Sequence, residues 1–247
     1  GSYVKIICRY QQYRAVGKMI NKLQSGTDWK SRSGVIWHTQ GSGKSFTMVF
    51  LVRKMRHIAD LREYRILMVV DRQALEDQLS ETAEHTGELR YDTKTKKIQN
   101  IIENRQALVK LETDTADLNL VMIHKFGENK EYSLESLIKT GIVPKYESFP
   151  VINNSEKILV LIDEAHRSQG GEMGDNLFQA FPNAARIGFT GTPLITPRHK
   201  ATTCERFGQE AGVFIDTYKM NDSVKDNATV DIKYIGRKSQ DNIPNKD

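Results

Sequence analysis

Cysteine is scarce in this chain. Of 247 residues only Cys8 and Cys204 are cysteines, at opposite ends, and neither has a neighbour at a spacing that makes a metal site or a redox pair. A disulfide framework is thereby set aside, and two reduced thiols in a cytoplasmic protein are the expectation. Long apolar runs are missing as well. No stretch reaches the ~20 residues that a helix needs to span a bilayer, so no membrane partner is expected. Residues Gly1-Ser2, followed by Tyr3-Val4-Lys5, have no apolar signal-peptide core and read as a cloning scar ahead of an excised fragment. Charge of one sign is not dominant either: a net +5 and a pI near 9.0 suit a polyanionic partner but are common among enzymes.

What is present describes a soluble globular protein. Hydrophobic residues make up 38% and charged residues 27%, and a chain of this length buries roughly 70–75% of its unfolded surface. One core with extensions is therefore expected. Hydropathy alternates between strand and helix patterns without internal repeats. Helices are expected at 9–23, 44–59, 73–84, 100–111 and 175–181, and strands at 34–38, 66–70, 118–123 and 158–162, with one more running into Thr190. Such alternation implies an α/β fold, a mostly parallel sheet with right-handed crossovers and helices on its faces. Three stretches lie outside the pattern. Residues 86–97 are polar and basic, a surface loop; 127–157 form a long polar insertion broken by Pro144 and Pro150; and the tail from 236 to 247 has the composition of a disordered segment.

Chemistry enters at Trp37-His38-Thr39-Gln40-Gly41-Ser42-Gly43-Lys44-Ser45, between the apolar strand 34–38 and the apolar run after Ser45. Glycines let backbone N–H groups turn toward an anion, and the following helix adds its positive end. Lys44 would then reach the β- and γ-phosphates, and Ser45 would offer its hydroxyl to Mg2+. His38 stands where the G-x-x-x-x-G-K-[ST] pattern has its first glycine. A second signal is the run Ile158-Leu159-Val160-Leu161-Ile162, apolar on both faces like a buried parallel strand and ending in Asp163-Glu164-Ala165-His166. Carboxylates at such a strand end face the crevice where open α/β sheets bind ligands. There Asp163 would hold Mg2+ and Glu164 would orient and deprotonate a water. The third is Ile187-Gly188-Phe189-Thr190-Gly191-Thr192-Pro193, a strand followed by small hydroxyl residues.

With these residues in order, the chain resembles the superfamily 2 helicases and translocases. Arg9-Tyr10-Gln11-Gln12 is similar to their adenine-reading Q motif, His38 to Ser45 to motif I, Asp163 to His166 to motif II, and Thr190 to Pro193 to motif III. The finer resemblance is to the motor subunit of type I restriction enzymes. It is carried by the segment Val70-Asp71-Arg72-Gln73-Ala74-Leu75-Glu76-Asp77-Gln78, by Ile123-His124-Lys125-Phe126, by Asp163 through Arg167-Ser168-Gln169, and by Ile215-Asp216-Thr217-Tyr218. The resemblance implies a RecA-like phosphate-loop fold, a three-layer sandwich, over 3–200, with 201–235 an extension leading toward an absent second lobe. ATP and Mg2+ are the implied cofactors. Thr39, Gln40, Gly41, Ser42, Gly43, Lys44 and Ser45 would cradle the phosphates, Gln12 and Arg9 would contact adenine, and Thr190, Gly191 and Thr192 would couple hydrolysis to movement. Double-stranded DNA and the modification and specificity subunits are the implied partners, with Arg72, Lys125 and Thr192 against the sugar–phosphate backbone.

Several residues admit plainer readings. Trp37 reads as a core aromatic rather than a ligand contact, Gln12 could be an ordinary helix-surface glutamine, and His166 is either a relay of nucleotide state or a packed neutral histidine. Asp117 with Glu128-Asn129-Lys130 imitates a nuclease D…E-x-K pattern but straddles the segment at Lys125, and reads as a coincidence. Two rival functions remain, a DEAH-type RNA helicase lobe and a non-hydrolysing, ATP-gated docking module. Thr190-Gly191-Thr192, in place of the Ser-Ala-Thr common in the RNA helicases, argues against the first.

Overall fold

Strands form where the chain is apolar on both faces. In the computed structural model, which describes residues 6–70, 91–92, 97–98, 101–102, 108–112, 118–126, 150–165, 172–195 and 201–230, seven strands make one parallel sheet. They are β1 (Gly34–His38), β2 (Arg65–Val70), β5 (Ile101–Ile102), β6 (Leu118–Met122), β7 (Ile158–Ile162), β8 (Ala185–Thr190) and β9 (Asp216–Tyr218), in the order β5-β6-β2-β7-β8-β1-β9. Two short antiparallel strands, β3 (Tyr91–Asp92) and β4 (Lys97–Ile98), pair apart from it.

Alternate residues of the central strands feed two separate cores, which is why most positions in them are apolar. Ile36, Ile66, Met68, Leu159, Leu161, Ile187 and Phe189 pack under helices α1 (Tyr10–Ser25) and α3 (Lys44–Arg56), against Met19, Ile20, Met48, Leu51 and Met55. Their neighbours Val35, Leu67, Val69, Val160 and Ile162 face the other side, where Phe126, Leu177, Phe181 and Phe207 cover them. That second layer includes helices α4 (Glu172–Ala180) and α5 (Thr203–Arg206). Helices on both faces of a parallel sheet make the three-layer α/β arrangement that the alternation predicts. A four-residue helix α2 (Trp29–Arg32) precedes β1, and α6 (Met220–Lys225) follows β9.

Helix α1 shows how one stripe sets an element's place. Gln11, Gln12, Ala15, Val16, Met19, Ile20 and Leu23 are buried at helical spacing, while Tyr10, Arg14 and Lys18 recur every fourth residue on another face. The helix stops at Gly26, whose N–H closes on Lys22 O at 3.1 Å.

The structure departs from the sequence expectations at several places. The helix expected at 100–111 is not formed as such: Ile101–Ile102 pair with Leu120 and Val121, and Val109–Glu112 make a 3-10 turn. Two β-branched residues beside an open sheet edge gain more from pairing than from a helical turn. The loop expected at 86–97 carries β3 and the first residue of β4. The strand expected at 118–123 ends at Met122, because Ile123–Phe126 turn as a 3-10 helix. Helix α3 ends at Arg56 rather than 59, and α4 begins at Glu172 rather than 175. Residues 216–218, within the expected extension, lie in the sheet as β9 beside β1. The expected helix 73–84, the tail from 236, Gly1-Ser2, and Arg72, Asp117, Glu128, Asn129, Lys130 and His166 lie outside the described residues.

Candidate nucleotide-binding site

Parallel strands share one carboxyl rim, and every described candidate residue apart from Arg9 and Gln12 at the start of α1 sits along it. Strand β8 lies between β1 and β7, so the loop after β1, the carboxylates after β7 and the hydroxyl turn after β8 are neighbours in space although scattered in sequence.

The loop after β1 is shaped by two left-handed glycines. Gly41 has φ +78° and Gly43 φ +82°, a conformation that costs an L side chain but not glycine. Gly43 is also the N-cap of α3, so the chain enters the helix with the first amides turned outward, a natural anion cradle. Ser42 is buried and donates to Thr39 O at 2.7 Å, pinning the loop from inside. Gly43 O accepts from Thr47 Oγ1 at 3.1 Å and from Gln12 Nε2 at 3.0 Å. Gln12 Oε1 in turn accepts from Arg9 N at 2.8 Å. The plain reading of Gln12 as a surface residue is therefore wrong: it is buried and ties α1 to the loop. Gln40 is exposed at the loop's entry, and Lys44 and Ser45 are half-buried at the first turn of α3.

Asp163 follows β7 and is 3% exposed. Its N–H donates to Val69 O at 3.0 Å, and its Oδ1 accepts from Glu164 N at 2.9 Å. Burial pushes its carboxyl up, while the positive charge of Lys44 and the Glu164 amide pull it down. The two residues come from different strand ends, Lys44 after β1 and Asp163 after β7. Glu164 is half-buried with φ +47°, one of two non-glycine residues in the left-handed region among those described.

At the end of β8, Thr190 is fully buried and its Oγ1 accepts from Thr192 N at 3.1 Å, forming a tight turn. Gly191 O accepts from Trp37 Nε1 at 3.1 Å, so this turn is braced against the start of the phosphate loop. Trp37 also packs on Phe214 at 5.1 Å and lies under the Lys219 ammonium at 4.4 Å, half-buried rather than in the core as expected. Thr192 is exposed. Lys125 is half-buried in the turn after β6, on the same rim, next to the exposed His124.

One cluster went unread in the sequence. Asp216 on β9 joins His38, Arg14 and Lys18, and Asp226 accepts from Tyr10 and Tyr218 hydroxyls at 2.6 Å and 2.9 Å. The signal available was the polar stripe of Tyr10, Arg14 and Lys18 on an otherwise packed helix, together with an aspartate that follows the apolar run Val213-Phe214-Ile215.

A parallel α/β sheet with a glycine-bent loop after one strand, and a buried aspartate reaching toward that loop's lysine from another, defines the class of phosphate-loop nucleotide-binding lobes. The chain belongs to the SWI2/SNF2 ATPase family, whose sequence model matches residues 11–247. It is 33% identical to the HindI type I restriction enzyme endonuclease subunit of Haemophilus influenzae, over 95% of this chain and 21% of that protein. It is 31% identical to the putative MjaVIIIP type I endonuclease subunit of Methanocaldococcus jannaschii, over 93% of this chain and 22% of that one. The chain thus spans about a fifth of the length of these relatives. Among solved structures it is similar to a nuclease-deletion mutant of the type ISP restriction-modification enzyme LlaGI in complex with a DNA substrate mimic. The TM-score is 0.55 at 15% identity, over 91% of this chain and 21% of that one. The Pyrococcus furiosus Hef helicase domain gives 0.51 at 16% identity, over 86% and 38%. These likenesses establish the fold as a RecA-like lobe. Among the described residues no helix is long and apolar enough to cross a membrane.

Proposed function

We propose that the chain is the first ATP-binding motor lobe of a type I restriction enzyme endonuclease subunit, driving ATP-dependent movement along double-stranded DNA. The observation that carries this reading is that the glycine-bent loop ending in Lys44 and the buried Asp163 stand at the same end of the sheet, on strands β1 and β7 that flank β8, joined to relatives that are type I endonuclease subunits. The residues fit the implied group. Gly41 and Gly43 open a backbone cradle, and Asp163 is an anion whose burial leaves it short of positive charge.

Bound ATP with Mg2+ would supply the transferable phosphoryl group and charge neutralisation at its oxygens. This chain's own part is positioning and proton handling. The amides from Gly41 to Ser45 hold phosphate oxygens and Lys44 follows them with a mobile cation. Ser45 and Asp163 hold the metal. Glu164 orients a water and accepts its proton. Gln12 contacts adenine with the capacity it has left, since a glutamine amide has two N–H donors and two acceptor lone pairs, of which one donor goes to Gly43 O of the loop and one acceptor to Arg9 N. Thr190, Gly191 and Thr192 link the β8 end to the loop through Trp37. Arg72, Lys125 and Thr192 serve the DNA backbone, where positive and hydroxyl groups bind without reading sequence. Modification and specificity subunits are the proposed protein partners, within a cytoplasmic complex.

Calorimetry of Mg·ATP against the wild type and Lys44→Ala tests the site. Loss of affinity in the variant supports it, and equal affinity removes it. In a version extended through a second lobe, Asp163→Asn is expected to impair Mg2+-dependent binding and hydrolysis together. Glu164→Gln should keep ATP bound and stall hydrolysis; the reverse pattern would exchange the two roles.

A further inference from the structure

The carboxylate of Asp216 is 1% exposed, yet it is an anion held by three donors. His38 Nε2 lies 2.8 Å from Oδ2, Arg14 donates Nε and Nη2 to the two oxygens at 2.9 Å each, and Lys18 Nζ stands at 2.8 Å. Burial alone would push this carboxyl up, but the hydrogen bonds from His38, Arg14 and Lys18 outweigh it and hold it far below the usual carboxylate range. None of the nucleotide groups described above is this carboxylate's partner, so its arrangement needs its own account.

What the donors share is where they lead. His38 closes β1 and opens the phosphate loop, at the position where the common pattern has glycine, and its ring is fully buried. A glycine there has no side chain by which the loop's start can be held; His38 fastens it to β9. With Nε2 on Asp216, the Nδ1 of His38 has no partner among the described residues, so the ring's specific contact is that carboxylate. Arg14 and Lys18 stand one turn apart on α1, the helix whose Gln12 holds Gly43 O at the loop's end. Asp216 therefore grips the start of the loop directly and its end through α1. The chain after it reinforces the grip. Tyr218 O accepts from Thr39 N at 2.8 Å, and Asp226 takes the hydroxyls of Tyr10 and Tyr218. A Cβ on Gly41 would lie 3.7 Å from Thr229.

We propose that Asp216 is a positioning residue for the phosphate loop, acting through His38 and α1, so that residues 216–226 set the loop's readiness for nucleotide. This rests on the nucleotide-binding reading above. Coupling of this kind is reciprocal: if the segment shapes the loop, nucleotide on the loop must steady the segment.

The test titrates this chain with a fluorescent ATP analogue and Mg2+, with wild type beside Asp216→Asn, His38→Gly, His38→Gln and the Asp216→Asn/His38→Gly pair. Amide hydrogen exchange at 216–226 is followed with and without nucleotide. Each of Asp216→Asn and His38→Gly is expected to weaken binding about tenfold, and the pair no more than the weaker single variant, the mark of a shared path. His38→Gln keeps a side-chain amide that can donate to the carboxylate and should recover most of the affinity. Nucleotide should slow exchange at 216–226 in the wild type and lose that effect in His38→Gly. Because His38→Gly leaves the ion pairs of Asp216 with Arg14 and Lys18 in place, it carries the test even where Asp216→Asn unfolds. Wild-type affinity in His38→Gly, losses that multiply in the pair, or exchange at 216–226 indifferent to nucleotide would overturn the assignment of Asp216 alone. A wild type that binds no nucleotide would instead bring down the reading on which it rests.

Discussion

Gly43 combines a φ of +82° with a neighbour that a side chain would strike, since a Cβ there would lie 2.5 Å from Gln12 Nε2. Gly43→Ala is expected to cost about 1–2 kcal/mol in backbone terms and to push Gln12 off the loop, lowering both the urea midpoint and nucleotide affinity. Gly17 is the internal contrast: it lies within α1 and a Cβ would meet nothing within 4 Å. Gly17→Ala should raise stability by roughly 0.5–1 kcal/mol and leave binding alone. Two aspartates give opposite pH signatures. Asp163 has its folded pKa raised, so the native state holds its proton more tightly than the unfolded chain. Its ionisation therefore removes stability as pH climbs above the ordinary carboxylate range. Asp163→Asn should then unfold at higher urea than wild type at pH 7 while losing Mg2+-dependent binding. Asp216 has its folded pKa lowered, so its contribution is present above the unfolded value and lost as pH falls toward the folded one. Asp216→Asn should be the less stable protein at pH 7, with the gap closing in acid; urea titrations at the two pH values check both signs.

At the scale of elements, α1 and β9 depend on each other. Removing residues 213–247 would strip β9 and α6, expose the edge of β1, and leave buried His38 and the Arg14–Lys18 face without their carboxylate. Such a truncation is expected to lose stability on the order of several kcal/mol and to unfold with a broadened urea transition, read by circular dichroism. The same pair marks where the sequence could and could not be read. Strands β2 and β7 were legible because each holds a run of five residues apolar on both faces, β1 and β8 because short apolar stretches lead into the glycine and hydroxyl motifs, and the phosphate loop because its glycines and lysine are local in sequence. Strand β9 is three residues long with a charged residue turned inward. Its compensation comes from Arg14 and Lys18, separated from it by 202 and 198 positions. No window along the chain contains both halves of that arrangement. Ile101–Ile102 were misread for a related reason: two residues carry no period, and their partner is β6.

For the molecule as a whole, the described candidate groups that follow β1, β6, β7 and β8 lie at one end of the parallel sheet. In two-lobe motors a second lobe supplies an arginine to the transition state, and loss of such a finger costs on the order of 10³–10⁵ in rate. The chain by itself is therefore expected to show negligible ATP turnover with or without DNA, and a steady-state assay giving DNA-stimulated turnover near that of a two-lobe protein would refute this. Changing Lys125 to Ala in a DNA-binding form should weaken unrelated duplexes equally and reduce the salt slope by about 1. A loss confined to one sequence would exclude a backbone role. The backbone at Glu164 sets these properties of the molecule against one another. Its φ of +47° costs an L residue about 1–2 kcal/mol, more than the roughly 0.4–1 kcal/mol of chain entropy that glycine would add to the unfolded state. Glu164→Gly should thus recover that backbone cost while lacking the carboxyl proposed to activate water. Heat resistance alone would favour glycine at this position, so the proposed activation of water is what a glutamate in this uncomfortable bend would serve.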